Sequence, residues 1–253
     1  MRVLLVSDIH SNIEALTAVI EAADLSRFDA VWCAGDVTGY GPNPDECVKF
    51  FSGLPNLKIV LGNHDSVISK VSAPIGFNPN AINAALKNIE SITPESQQWL
   101  AELEPSLRID PEMILVHGSP LDPDEYLLSL ELAIPSLSSM AKSGIRVGMF
   151  GHTHMPAVYA YDKANDQYSE ESVKADKDIE LRISSEFVYL VNPGSVGQPR
   201  DGDPRASFME LEIHETRIIV RNRRVYYKIA SCQEKMRERK YPEVLINRLN
   251  YGC

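Results

Sequence analysis

The feature that most constrains this chain is a rhythm: six short apolar, β-branched runs, each ending abruptly in residues that carry chemistry. The runs are Val3 to Val6, Ala30 to Ala34, Lys58 to Leu61, Met113 to Val116, Val147 to Phe150 and Val188 to Val191. They lead into Asp8-Ile9-His10, Gly35-Asp36, Gly62-Asn63-His64-Asp65, His117-Gly118, Gly151-His152-Thr153-His154 and Asn192-Pro193-Gly194-Ser195. Short runs of this kind, alternating with helical periodicity, predict buried strands joined by crossover helices. In such sheets ligands bind beyond the carboxyl ends of the strands, so these segments are expected to meet in one crevice.

The intervening segments carry helix signals. Ser11 and Glu14 form a capping box ahead of Ile13, Leu16, Ile20 and Ala23, and Asn43-Pro44-Asp45-Glu46 repeats that logic ahead of Val48, Phe50 and Phe51. Thr93-Pro94-Glu95 opens another helix, with Trp99, Leu100 and Leu103. Beyond residue 155, Ala157 to Tyr161, Val188 to Val191, Ser207 to Ile213 and Arg217 to Arg223 read as strands with few helices between them, predicting a second, mainly antiparallel sheet. Asp162 to Glu180 holds seven acidic residues and three lysines and is expected to be a mobile surface hairpin. The basic tail from Arg221 onward is expected to form a solvated helical face, with a subunit contact or a substrate-facing patch as the alternative, and Tyr241 to Tyr251 to pack on its own sandwich or on a neighbouring copy, leaving a homo-oligomer open. With no composition shift along 253 residues, one α/β domain over residues 1–253 is expected.

Several classes fall away. Apolar runs of four or five residues are far short of the roughly 20 that span a bilayer, so no membrane association is expected. Asp8 interrupts any signal-peptide core, and the reading is cytoplasmic. Cys33, Cys47, Cys232 and Cys253 lack CxxC spacing, which suggests reduced thiols rather than a disulfide framework or a thiolate zinc site. A net charge of −10, from 25 basic and 35 acidic residues, opposes binding to long nucleic acid but leaves room for a small phosphorylated substrate.

Five of the six histidines lie in the strand-end segments, and His214 alone, late in a strand, is expected to be structural. Imidazole, carboxylate and amide without thiolate suit Mn, Fe, Zn, Ni or Co. Asp8, His10, Asp36, Asn63, His117, His152 and His154 make seven donors, more than one ion takes and suited to two ions sharing a carboxylate.

Asp8-Ile9-His10, Gly35-Asp36, Gly62-Asn63-His64-Asp65, His117 and Gly151-His152-Thr153-His154 resemble the ordered motif series of the calcineurin-like metallophosphoesterases. Gly39-Tyr40-Gly41-Pro42 and the Asn192 to Asp201 segment resemble the small prokaryotic branch of that family. The resemblance implies a four-layer α/β/β/α sandwich of two mixed sheets flanked by helices. It implies two divalent transition-metal ions, manganese foremost: Asp8, His10 and His154 on the first, Asn63, His117 and His152 on the second, and Asp36 between them. His64 would face the substrate, stabilising developing charge and protonating the leaving oxygen.

The activity implied is direct hydrolysis of small phosphomonoesters or phosphodiesters, nucleotides among them, or of dinucleoside polyphosphates, without a phosphoenzyme, the ions lowering the pKa of water from 15.7 toward about 7. Gly39 and Tyr40 stand where the protein-phosphatase branch has an aspartate and an arginine, which disfavours a Ser/Thr protein phosphatase; a non-catalytic metal-binding scaffold is the alternative. Tyr40 and Arg200 are candidate substrate contacts, the latter as a phosphate-gripping cation. Asn12, Asn192, Gly194 and Ser195 read as structural support, and the loops Ser66 to Pro79 and Gly118 to Ser129 as walls around the site.

Overall fold

The computed structural model describes residues 1–253. Its first half builds a parallel triplet: β1 (Arg2–Val6) beside β2 (Ala30–Cys33), itself beside β3 (Leu57–Ile59), with α1 (Ile13–Ala23) and α2 (Pro44–Ser52) as crossovers. Three helices follow, α3 (Asn63–Ile68), α4 (Pro79–Ser91) and α5 (Pro94–Ala101). The hairpin β4 (Ser106–Asp110) and β5 (Met113–Val116), helix α6 (Leu130–Ser143) and β6 (Val147–Met149) begin the second sheet. Then come β7 (Pro156–Asp162), β8 (Gln167–Glu171), β9 (Asp178–Arg182), β10 (Phe187–Pro193), β11 (Ala206–Ile213) and β12 (Arg217–Val225), closed by α7 (Ile229–Glu238) and α8 (Glu243–Arg248).

The late strands do not form a sheet of their own, as their sequence suggested. One six-stranded sheet runs β3-β2-β1-β11-β12-β9 and the other β4-β5-β6-β10-β7-β8. The reason is edge satisfaction. Each early group of strands leaves an exposed row of N–H and C=O groups, and β11 closes that of β1 antiparallel while β10 closes that of β6 in parallel. Both sheets are therefore mixed.

Strand alternation then sets the layers. Val3, Leu5 and Trp32 of one sheet meet Leu115, Val147, Met149 and Tyr189 of the other in a shared interior. On the opposite face of the first sheet Leu4, Val6, Val31 and Cys33 pack with Leu16 and Val19 of α1 and Phe51 of α2. Leu137 and Met140 of α6 cover Ile114 and Leu190 of the second sheet. The result is the four-layer α/β/β/α sandwich.

Four local expectations change. At α2 the capping box does not form, since Asn43 makes no side-chain cap bond and its amide donates to Glu46 instead. The capping residue of α1 is Asn12, whose side-chain oxygen accepts the Ala15 N–H, whereas the Ser11 hydroxyl donates to Asn88 and Glu14 pairs with Lys235. Asp162 to Glu180 is not a mobile hairpin: β8 extends one sheet and β9 the other, and Arg221 and Arg223 supply the opposite charge at Asp178 and Asp176. Those arginines belong to β12 and not to a solvated helix, with Arg224 donating to Asp201 and the Arg205 carbonyl. The segment after them folds back on its own sandwich, where Met236, Tyr241, Leu245 and Ile246 pack with Tyr40, Ala81 and Ala84. His214 is exposed beyond the end of β11.

Candidate metal centre

The loops after β1, β2, β5 and β6, with the start of α3, converge on one buried cluster. Asp8, His10, Asp36, His64, His117, His152 and His154 are all buried there. Their backbones are unusual: Asp8, His10, Asp36, His152 and His154 all have φ between 49° and 65°, the left-handed region that L-residues seldom adopt. Such strain persists where surrounding structure over-determines it. Here the N–H groups of Asp8 and His10 donate to the carbonyls of Gly35 and Asp36, and Gly197 N–H donates to the Asp8 carbonyl, so each loop is pinned by the next.

Asp8, His10 and His154 place one ligand atom each within 4.8 Å of one another. His10 Nδ1 lies 3.0 Å from the Thr38 carbonyl and His154 Nδ1 lies 2.6 Å from that of Gln198. A carbonyl only accepts, so both Nδ1 atoms carry the proton and both Nε2 atoms offer lone pairs. Burial holds both rings well below the ordinary histidine pKa, which keeps them neutral. The two Nε2 atoms nevertheless face each other at 3.0 Å, with Asp8 Oδ1 3.3 Å from His154 and without a hydrogen-bond partner. Converging lone pairs beside an orphaned carboxylate oxygen are the donor set a divalent cation requires, and the carbonyls behind the rings are the support that orients metal-binding histidines.

A second group joins Asp36, His117 and His152 within the same 4.8 Å limit. His117 Nδ1 donates to the Ala34 carbonyl at 2.7 Å, while its Nε2 lies 3.1 Å from both Asn63 Oδ1 and His152 Nδ1. His152 Nε2 has no partner. Asp36 faces both groups, its Oδ2 lying 3.7 Å from His10 Nε2 and 3.3 Å from His117 Nε2. Its other oxygen accepts the His64 N–H at 2.9 Å. This approach needs Gly62, where a Cβ would stand 2.1 Å from Asp36 Oδ1.

Burial alone would raise Asp36, but His117 and the neighbouring histidines hold its carboxyl well below the usual range. Burial likewise opposes charge on His117, yet Asp36 raises it to about 10. For Asp8, burial outweighs the opposing influence of His117 and pushes the carboxyl up to about 7. Burial, helped by His117, brings His152 down to about 3.

His64 lies at the edge of both groups and within 4.8 Å of His10 and Asp36. Burial lowers it to about 4, against the attraction of Asp36, and its Nδ1 has no partner. Gly39, at φ +100°, lets the chain pass beside it, since a Cβ there would stand 2.5 Å from that nitrogen. Tyr40 packs its ring 4.7 Å from His10 and 4.4 Å from His64, and Arg200 Cζ lies 5.7 Å from the Tyr40 ring with its Nε buried and unpartnered.

Four contributors were not singled out by the sequence, although Phe77 and Tyr126 lie in the two loops read as walls around the site. Asp65 accepts the N–H groups of Val37 and Thr38 and the Thr38 hydroxyl, tying α3 to the loop that carries Asp36. Tyr126 stacks 3.7 Å from the His152 ring, Phe77 lies 4.5 Å from His64, and Arg248 reaches Tyr40 from the far end of α8, its Cζ 5.9 Å from the ring. Asp65 had a signal of its own, as the last residue of its motif, whereas Arg248 had none. Asn12, Asn192 and Ser195 are supports: Asn192 donates to the Gly151 carbonyl and Thr153, Ser195 to the Asp8 carbonyl, and Asn12 to that of Gly197.

Comparison with known proteins points to one family. A protein of Methanocaldococcus jannaschii described as uncharacterized is 33% identical over 99% of this chain and 98% of its own length. A crystal structure of a metallophosphoesterase from Sphaerobacter thermophilus superposes with a TM-score of 0.84 at 37% identity, covering 100% of this chain and 99% of the other. A symmetrical bis(5'-nucleosyl)-tetraphosphatase of Vibrio vulnificus is 28% identical over 55% of this chain, which spans only 52% of that relative. Residues 1–216 match the calcineurin-like phosphoesterase superfamily domain, and the chain belongs to that family of phosphoric ester hydrolases.

Proposed function

We propose that this protein is a dinuclear metal-dependent phosphoesterase hydrolysing small phosphomonoesters or phosphodiesters, nucleotides among them, without a phosphoenzyme. The observation that carries the reading is the pair of donor groups meeting at Asp36, with Asp8 Oδ1 and His152 Nε2 left unpartnered in the buried centre. Asp8, His10 and His154 would hold one ion, Asn63, His117 and His152 the other, and Asp36 both. Manganese is the expected occupant, with Fe, Zn, Ni or Co served by the same donors. Two divalent ions held there would lower the pKa of water toward neutrality and offset the charge of the phosphoryl oxygens.

The remaining work belongs to the chain. His64, held in place by its backbone bond to Asp36, presents a ring to the leaving side of the substrate, and its neutral state at pH 7 makes it a hydrogen-bond donor there. An arriving phosphoryl dianion raises the proton affinity of that ring, which prepares it to protonate the leaving oxygen. Arg200 supplies positive charge on the Tyr40 side. Residues 1–253 act as one domain in this reading. A cytoplasmic setting fits the three buried free thiols, and no helix is long and apolar enough to cross a membrane.

The test is hydrolysis of p-nitrophenyl phosphate and bis-p-nitrophenyl phosphate by chelator-stripped protein resupplied with Mn²⁺, Ni²⁺, Zn²⁺ or Mg²⁺. Metal-dependent turnover is expected; two ions bound per chain with no turnover on any ester would overturn the reading in favour of a binding scaffold.

A further inference from the structure

Two arginines meet at one ring beside the candidate centre. Arg200, in the loop after β10, has its Cζ 5.7 Å from the centroid of the Tyr40 ring, and Arg248, the last residue of α8, has its Cζ 5.9 Å from the same point. A guanidinium carries five N–H donors and no acceptor. Arg200 uses one, in a 3.4 Å contact with Gln198 Oε1, while its Nε is buried without a partner; Arg248 uses one, toward the main-chain oxygen of Cys253. Arg205, Arg221, Arg223 and Arg224 each pair with a carboxylate, but these two do not, in a chain whose net charge is −10. Both are half-buried, and burial together with the charge of Arg200 holds Arg248 below its ordinary value. Like charges that are partly desolvated and left without a counter-ion are costly, so their fitting partner is an anion from outside the chain.

We propose that Arg200 and Arg248 form an anion site that holds a second negatively charged group of the substrate, a phosphate or carboxylate linked to the phosphoryl group at the metal centre. The proposal rests on the phosphoesterase reading above and adds to it the charge of the substrate. Arg200 is the inner residue: together with burial its charge opposes protonation of His64, His152 and His154, and it bears on Tyr126 as well. Arg248 meets the centre at Tyr40, whose ring lies 4.7 Å from His10 and 4.4 Å from His64. Tyr40 also borders a cleft of about 460 Å³ that runs between Phe77 and Tyr126 and leaves room for the rest of a small substrate. Guanidinium forks donate in pairs to the oxygens of a phosphate or carboxylate, which suits the donors left free here. The site is braced from behind. The Tyr241 hydroxyl and the Asn88 amide both donate to the Gly41 carbonyl at 2.9 Å, and Arg239 donates to that of Pro42, so the C-terminal segment that carries Arg248 is locked to the loop that carries Tyr40. Helix α8 lies beyond residues 1–216, so the outer arginine comes from outside the matched family domain.

The test is titration calorimetry on the metal-loaded full chain, with elemental analysis to keep metal content equal between variants. Two pairs of probes are compared, pyrophosphate against phosphate and phosphonoacetate against methylphosphonate, which differ by a second phosphate and by a carboxylate. In at least one pair the wild-type chain should bind the doubly charged probe about tenfold or more tightly, and Arg248→Gln should lower that ratio by about tenfold, the scale of one charge-assisted contact. Arg248→Lys should restore part of the ratio, since an ammonium keeps the charge without the fork. The pair whose ratio falls names the second group. A loss shared equally by both members of each pair would make Arg248 a structural residue, and affinities unchanged in both pairs would remove it from the site; either result overturns the proposal. Turnover of p-nitrophenyl phosphate alongside such a result would leave the phosphoesterase reading standing. No turnover on any ester with both ions bound would overturn that reading and this proposal with it.

Discussion

The two donor groups of the candidate centre each combine two histidines with one side-chain oxygen donor, a carboxylate in one and an amide in the other, but they are held differently. Around Asp8, His10 and His154 every imidazole has its outer nitrogen on a carbonyl, Thr38 or Gln198, and all three side chains are at most 2% exposed. Around Asn63, His117 and His152 only His117 is fixed in that way. Asn63 is the first residue of α3 and half-buried, and His152 borders the cleft with Tyr126 stacked upon it. Preorganised donors lose less freedom when they bind, so in the proposed dinuclear centre the first group would be the tighter seat and the second, beside the cleft that Phe77 and Tyr126 border, the one able to adjust to an incoming phosphoryl group.

The harshest way to break this comparison is to remove what the two groups share. Asp36→Asn should strip both seats and lower turnover by roughly 10² to 10⁴-fold, the kinetic equivalent of losing a buried charged partner. Metal content by elemental analysis is the companion measurement, and loss of one ion alone would show that Asp36 serves a single seat. His64→Ala removes no expected ligand. Turnover should fall toward the lower end of the roughly 10² to 10⁴-fold range for general acid catalysis, because burial keeps this ring at about 4 and hence neutral. Both ions should remain bound. Loss of an ion in this variant would make His64 a ligand, as its place beside His10 and Asp36 allows.

How far the sequence carries can be judged from particular residues. Asp8, Asp36, His117, His152 and His154 were legible as a set because each follows a run too apolar and too short to be anything but a buried strand, and strand ends converge by topology. The way the two sheets share the late strands was not legible, since alternation fixes which face a strand buries but not which edge it joins. Asp162 to Glu180 looked unfoldable by itself because its counter-charges, Arg221 and Arg223, lie more than forty residues on. Ser11 missed its capping role because Asn88, 77 residues away, takes its hydroxyl. Phe77 and Tyr126 lie in the two loops read as walls, but nothing within those loops marks the residue that reaches the centre, and Arg248 comes from a distant helix with no motif around it, so only the fold discloses these contacts.

The comparison sharpens when the two groups are damaged separately. A chelator titration followed by metal content should proceed in two steps. His154→Ala should weaken the first, tighter step by more than about 100-fold, and His152→Ala the second by about 10 to 100-fold, since a ligand held loosely contributes less when removed. Equal effects on one shared step would mean that the two seats load as a unit and that the difference in ring support has no energetic expression.

The smallest expected effect isolates the stacking itself. Tyr126 covers the His152 ring at 3.7 Å without donating a ligand atom, and an aromatic pair of this kind contributes about 0.5 to 1.5 kcal/mol beyond the area it buries. In Tyr126→Leu the apolar cover is largely kept and the aromatic face is lost. The second step of the titration should therefore weaken by about 2 to 10-fold, while the first, which Tyr126 does not touch, stays where it was. Elemental analysis against free metal concentration reads both steps in one experiment. A variant that loses affinity in both would show that Tyr126 supports the whole crevice and not one ring. A variant with neither step changed would place the orientation of His152 in its backbone alone, where its N–H already donates to Asp8 Oδ2 at 3.0 Å.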